Sequence, residues 1–152
     1  LIAIDAGGAP DKFFAIASQV DEDPTELLDS LVPILQAGER EIFLSEVSPG
    51  GMPWEELSPV TVDAKGFSKI LVETGRLYES VVTPNGTSDT IWETSADPAY
   101  LIFGTSVPYA KYHQTGTRRM PARPFMGMNR KTEQEVVNAV ADAAVKRITK
   151  EK

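Results

Sequence analysis

The chain has no cysteine and a single histidine, His113. The absence of cysteine excludes disulfide frameworks, thiolate zinc sites and cysteine nucleophiles, and a lone histidine leaves any metal site mostly to carboxylates. No apolar run approaches the 18 or so residues needed to cross a bilayer, and the start LIAIDAGGAPDKFF has no basic segment ahead of an apolar one. The reading is a soluble, unexported protein without membrane contact. Phosphate-loop and dinucleotide glycine patterns are missing, and so is a G-x-S-x-G elbow, so no cofactor is expected. The acid clusters Asp21 to Asp23 and Glu55–Glu56 match no calcium-loop spacing and read as solvated turn residues.

What is present is an ordinary globular composition in a chain of 152 residues, enough for one domain with its own core. Its net charge of −7 is unevenly placed. Residues 1–110 hold 5 Lys or Arg against 18 Asp or Glu, whereas residues 111–152 hold 10 against 4. Such polarity suggests an acidic face meeting a basic one, between copies of the chain or with other partners.

Along the chain, LIAIDA alternates like a short strand and DKFFAIASQV fits a short helix. Asp23 is placed as an N-cap ahead of Pro24, with Glu26 reaching back, and Leu27, Leu28, Leu31, Val32, Leu35, Ile42 and Phe43 predict a long amphipathic helix to about residue 46. Pro33 predicts a kink or break near 29–32. Residues 48–69, rich in proline and glycine, predict a long loop, followed by a helical turn at Ile70–Leu71 that Gly75 stops. LYESVV and DTIWETS read as strands of a hairpin turning at Asn85–Gly86, with AYLIFGTS as a third strand. Ser106 is expected to cap a short helix VPYAKYHQT closed by Gly116, and Val136, Val137, Val140, Ala144 and Ile148 mark a carboxy-terminal helix. The fold class expected is α+β: a small, mostly antiparallel sheet with helices on one face, a long carboxy-terminal helix and a long Pro/Gly-rich loop.

Chemistry concentrates in YAKYHQTGTRRMPARPFMG, residues 109–127. In a helix, Tyr109, Tyr112 and His113 share a side, and His113 reads as a half-buried hydrogen-bonding residue rather than a base. A hydrolase through His113 lacks both a legible serine elbow and an orienting carboxylate. The prolines hold MPARPF extended, so Arg123 and Phe125 project together, and Arg123 is suited to a forked bond with a carboxylate or to packing on its own stem. Arg118 and Arg119 would suit non-specific contact with a DNA backbone, although a sequence pI near 4.7 is the opposite of a dedicated binder's. Trp54, in the loop, anchors either its own domain or a neighbouring subunit.

The order of these signals resembles the phage virion morphogenesis family, the tail-completion or neck proteins of tailed bacteriophages. The resemblance lies in Trp54, Leu57 and Thr61, in Thr74, Gly75 and Leu77, in Tyr109, Ala110, His113, Gln114 and Gly116, and in Pro121 through Phe125. It implies a non-enzymatic virion protein at the head–tail junction, assembled in the host cytoplasm and forming a homo-oligomeric ring. The implied partners are other copies of itself and a neighbouring connector, tail terminator or tail tube protein, with DNA in the channel as a further contact. A tail terminator or adaptor at the same junction is the nearest alternative. Subunit or partner contacts are then expected at Trp54, Tyr109, Tyr112, His113, Gln114, Arg118, Arg119, Arg123 and Phe125.

Overall fold

The computed structural model describes residues 24–97 and 99–150, with the side chains of residues 147, 148 and 150 left aside. The strand and helix expected before residue 21, and the Asp23 cap, lie outside the described residues. Seven elements follow in order: α1 Thr25–Ser45, α2 Pro59–Lys65, α3 Arg76–Val82, β1 Thr90–Ala96, β2 Ala99–Thr105, α4 Ala110–Thr115 and α5 Arg130–Lys150. The fold is α+β, as the sequence predicted. Among the described residues no helix is long and apolar enough to cross a membrane.

Helix α1 organises the core. Its heptad-like spacing buries Leu28, Leu31, Val32, Leu35, Ile42 and Phe43 on one side. The predicted break does not occur, because Pro33 lies on the exposed face and the helix runs through it without interruption. Pro24 stands at the N-cap, one position earlier than expected. Glu46 ends the helix in a left-handed conformation, φ 56°, returning its N–H to Ile42 O at 2.9 Å.

Polar residues of α1 reach the neighbouring elements. Gln36 Nε2 donates to Thr83 O at 2.8 Å and Arg40 Nη2 to Val82 O at 3.1 Å, which satisfies carbonyls at the end of α3. Asp29 Oδ1 accepts from Trp92 Nε1 at 3.0 Å and Thr94 Oγ1 at 3.1 Å on β1. The hairpin pairs antiparallel from Thr90↔Thr105 to Ala96↔Ala99, so Thr90, Trp92, Thr94, Phe103 and Thr105 share one face. Ser80 of α3 meets that same face, donating to Thr105 Oγ1 at 2.8 Å while its carbonyl accepts from Thr90 Oγ1 at 2.7 Å. Both helices therefore pack on one side of a two-stranded sheet.

Four expectations are corrected. LYESVV is helix α3, because Leu77, Ser80 and Val81 are spaced for a buried helical face, and the Asn85–Gly86 turn joins that helix to β1. Gly75, φ 84°, opens α3 where it was expected to stop a turn. The 48–69 segment carries helix α2, with Pro59 at its first turn, Ser58 Oγ accepting from Thr61 N at 3.3 Å, and Gly66 closing it. Ser106 donates to Asp89 O, and Tyr109 takes the N-cap position of α4 with no side-chain cap.

Helix α5 crosses α1 at close range: a Cβ on Gly38 would lie 2.4 Å from Thr132 Oγ1. Asn129 Oδ1 caps α5 by accepting from Thr132 N at 2.9 Å. Val136 and Val140 face the core as expected, whereas Val137 is half-exposed and Ile148 lies outside the described side chains. Beside the crossing, Glu39 is buried among apolar neighbours. Its Oε1 accepts from Gly127 N at 3.1 Å and its Oε2 has no partner among the described residues. Burial pushes this carboxyl well above the usual carboxylate range, opposed in part by the Gly127 N–H.

Two outcomes follow from this crossing. Gly38→Ala should destabilise the fold by about 1–3 kcal/mol, the usual cost of overpacking, measured by chemical denaturation. Because Glu39 has a raised folded-state pKa, its contribution to stability is complete below its ordinary value of 4.5 and declines as pH rises through the folded value. Glu39→Gln keeps an acceptor for Gly127 N–H and carries no titrating proton, so its stability should depend less on pH on the alkaline side. Identical pH profiles for the two proteins would contradict that.

Candidate functional site

The stretch after α4 forms an elbow. Gly116, φ 72°, closes α4 where an added Cβ would sit 2.7 Å from Ala122 N, so only glycine lets the returning chain approach. Thr117 and Met120 exchange backbone hydrogen bonds at 2.8 and 3.3 Å, making a tight turn with Arg118 and Arg119 at its tip. Both arginines are exposed, and neither forms an ion pair among the described residues.

The returning segment is held by main-chain and amide contacts. Arg123 N donates to His113 O at 2.7 Å. The Gln114 side chain accepts from Phe125 N and Met126 N, both at 3.1 Å, and donates to Met126 O at 3.0 Å, doing for this segment what a neighbouring strand would do. Phe125 is fully buried, with its ring centroid 5.6 Å from that of Phe43, which also meets Trp54 edge-on at 5.7 Å.

Arg123 is 6% exposed and forks onto two successive carbonyls, Nε to Glu55 O at 2.8 Å and Nη2 to Glu56 O at 3.1 Å. The fork expected on a carboxylate is thus made on main chain. Just ahead of those carbonyls, Trp54 Nε1 donates to Pro124 O at 2.8 Å. The 48–58 segment and the elbow are therefore strapped together from both sides.

Between the strap, α2, the 71–77 turn and the elbow lies a cleft of about 760 Å³. Leu57, Thr61, Thr74, Leu77, His113 and Pro121 all line it, so all four of the motif segments, distant in sequence, meet at one place. Tyr109 and His113 form one wall, edge-on at 5.8 Å. Burial, and then the Arg123 charge, hold the His113 imidazole below its ordinary pKa, so it is neutral at pH 7. Its Nδ1 is buried with no hydrogen-bond partner among the described residues, and no serine or carboxylate there bonds the ring. A neutral, unbonded imidazole has no orienting group of the kind a nucleophile–base relay needs.

The nine residues singled out in the sequence separate into groups. Trp54, Arg123 and Phe125 lie inside the chain's own core, where burial leaves almost no surface for another molecule. Gln114 is half-buried and engaged with backbone. Tyr109 and His113 face the cleft, while Tyr112, Arg118 and Arg119 are exposed, with Lys111 Nζ 5.0 Å from the Tyr112 ring centroid. Sequence reasoning missed Glu73 and Arg76 on the cleft rim; Arg76 bonds both oxygens of Asp89, at 2.7 and 2.8 Å. It also missed Glu39, for which a signal existed, since residue 39 falls on the apolar side of α1 between Leu35 and Ile42.

The chain belongs to the phage virion morphogenesis family, which matches residues 11–144. Proteins of that family have structural or assembly roles in phage virions. The chain is 26% identical over 140 residues to the Mu-like prophage FluMu G protein 1 of Haemophilus influenzae, covering 92% of this chain and 90% of that protein. No solved structure matches it.

The strap generates a mutational expectation. Arg123→Lys cannot reproduce the fork and should cost about 1–3 kcal/mol, with Arg123→Ala costing more because two inward carbonyls lose their donor. Hydrogen exchange should accelerate at residues 48–58 in both variants and stay slow in α1. Unchanged exchange in the strap would contradict the assigned role.

Proposed function

We propose that this chain is a non-enzymatic structural protein of a tailed phage virion, which completes the tail or joins it to the head at the neck as a homo-oligomeric ring. The observation that carries this reading is the Thr117–Met120 turn: a rigid, exposed tip with two unpaired arginines, beside the cleft where the four motif segments meet. Family membership supports the virion role, and the acidic balance of residues 1–110 against the basic remainder supports contact between copies. The neighbouring connector, tail terminator and tail tube proteins are the partners this position implies. A tail terminator or adaptor role at the same junction draws on the same features.

The exposed Arg118 and Arg119 also favour a second reading, in which the turn touches DNA in the channel through its phosphates. Arg118→Ala with Arg119→Ala should then abolish a salt-dependent affinity for duplex DNA, and no such affinity in the wild type dismisses it.

Deleting the gene for the chain from its phage should leave filled heads and tails that fail to join, and expressing it in trans should restore infectious particles. Mass spectrometry of purified particles should find the chain in several copies, and cryo-electron microscopy should place those copies at the neck. Its absence from purified virions would refute the proposal.

A further inference from the structure

The cleft and the turn bear opposite unmet demands. Four cations line the cleft, and three of them are already engaged: Arg123 on the carbonyls of Glu55 and Glu56, Lys65 on those of Lys69 and Val72 at 2.7 and 2.8 Å, and Arg76 on Asp89. Glu55, Glu56 and Glu73 line the same space, and among the described residues their carboxylates accept no hydrogen bond and form no ion pair. The fourth, Arg119, forms no ion pair, so three unpaired acids share the cleft with a single open cation. His113, neutral at pH 7, supplies no cation to these acids.

The turn is a wall with two different sides. Arg119, Met120 and Pro121 face the cleft of their own chain, whereas Arg118, adjacent at the tip, is exposed and does not line it. We propose that the Arg118 side of this turn in one copy enters the rim of the cleft in the next copy, where its guanidinium meets Glu56 and Glu73. Each elbow then separates two clefts, one its own and one its neighbour's, and the contact joins unlike surfaces head to tail, as a ring or stack requires. The turn is already closed by its two backbone bonds, so docking orders little new chain. An arginine fits the task, since its planar fork matches a carboxylate and its charge is fixed.

This inference rests on the reading that the chain assembles with itself, and the test separates the two. Self-association of the whole chain is measured by sedimentation and native mass spectrometry over rising concentration and at two salt levels. Arg118→Glu, and separately Glu56→Lys with Glu73→Lys, should each weaken association at least tenfold with unchanged thermal stability, because all three side chains are exposed. Mixing the two variants should restore assemblies larger than pairs, because the unaltered turn of one meets the unaltered cleft of the other and the two reversed charges again meet with opposite sign. A wild-type chain that stays monomeric at every concentration, variants that associate like the wild type, or a mixture that stays monomeric would each overturn the proposal. So would an Arg118→Glu variant that associates normally and loses affinity for duplex DNA, an outcome that assigns the turn to nucleic acid. In all of these cases, finding the chain at the neck of virions would leave the functional reading standing.

Discussion

The architecture depends on where one guanidinium is placed. Arg123 is almost wholly removed from water, and a buried cation is tolerated only when its donors are met. Here they meet two successive carbonyls of a segment that has no strand or helix beside it. Those carbonyls gain in turn, since a stretch outside any helix or strand must find donors for its main chain elsewhere. One side chain answers both needs and fixes the separation of the strap and the elbow. Both of the segments that it joins line the cleft.

Helix α1 supplies the rest of the frame through polar groups as much as apolar ones. Asp29 holds the hairpin, Gln36 and Arg40 finish α3, and Glu39 takes the N–H of Gly127 where the returning segment passes. A helix that met these elements through leucines alone would leave several main-chain groups unmet. Glu39 Oε2 and His113 Nδ1 are the two exceptions among the described residues, and their residues meet the returning segment at Gly127 and Arg123 respectively.

Much of this was legible in the sequence where one element carried its own signal. The apolar spacing of α1, the strands at DTIWETS and AYLIFGTS, the closure of α4 by Gly116 and the start of α5 are local patterns. Helix α3 was misread because Val81 and Val82 are β-branched and precede Asn85–Gly86, a hairpin sign that here serves a helix-to-strand turn. Ser58–Pro59 carried a cap and first-turn proline that the surrounding glycines and prolines obscured. The partners of Arg123 could not be read at all. They lie 67 and 68 residues away and are carbonyls, which every residue possesses, so no residue type at 55 or 56 announces them. The same reason explains why Trp54, Arg123 and Phe125 could be marked as important while their buried setting stayed hidden.

The uneven charge of the sequence becomes sharper in the folded chain. Within the acid-rich portion, Arg40, Lys65, Lys69 and Arg76 are all engaged inside the molecule, on carbonyls or on Glu46 and Asp89. In the basic portion, Lys131 pairs with Glu41 and Arg123 is buried, while Arg118 and Arg119, exposed on the turn, form no ion pair among the described residues. Internal pairing therefore leaves unpaired acids such as Glu56 and Glu73 in the first portion and the open guanidinium of Arg118 in the second. Surfaces so arranged attract at a range of about 8 Å in physiological salt, which speeds encounter and selects orientation without adding much to final affinity. Were copies to add in one register, as proposed above, that selectivity would matter more than tight binding of any single pair.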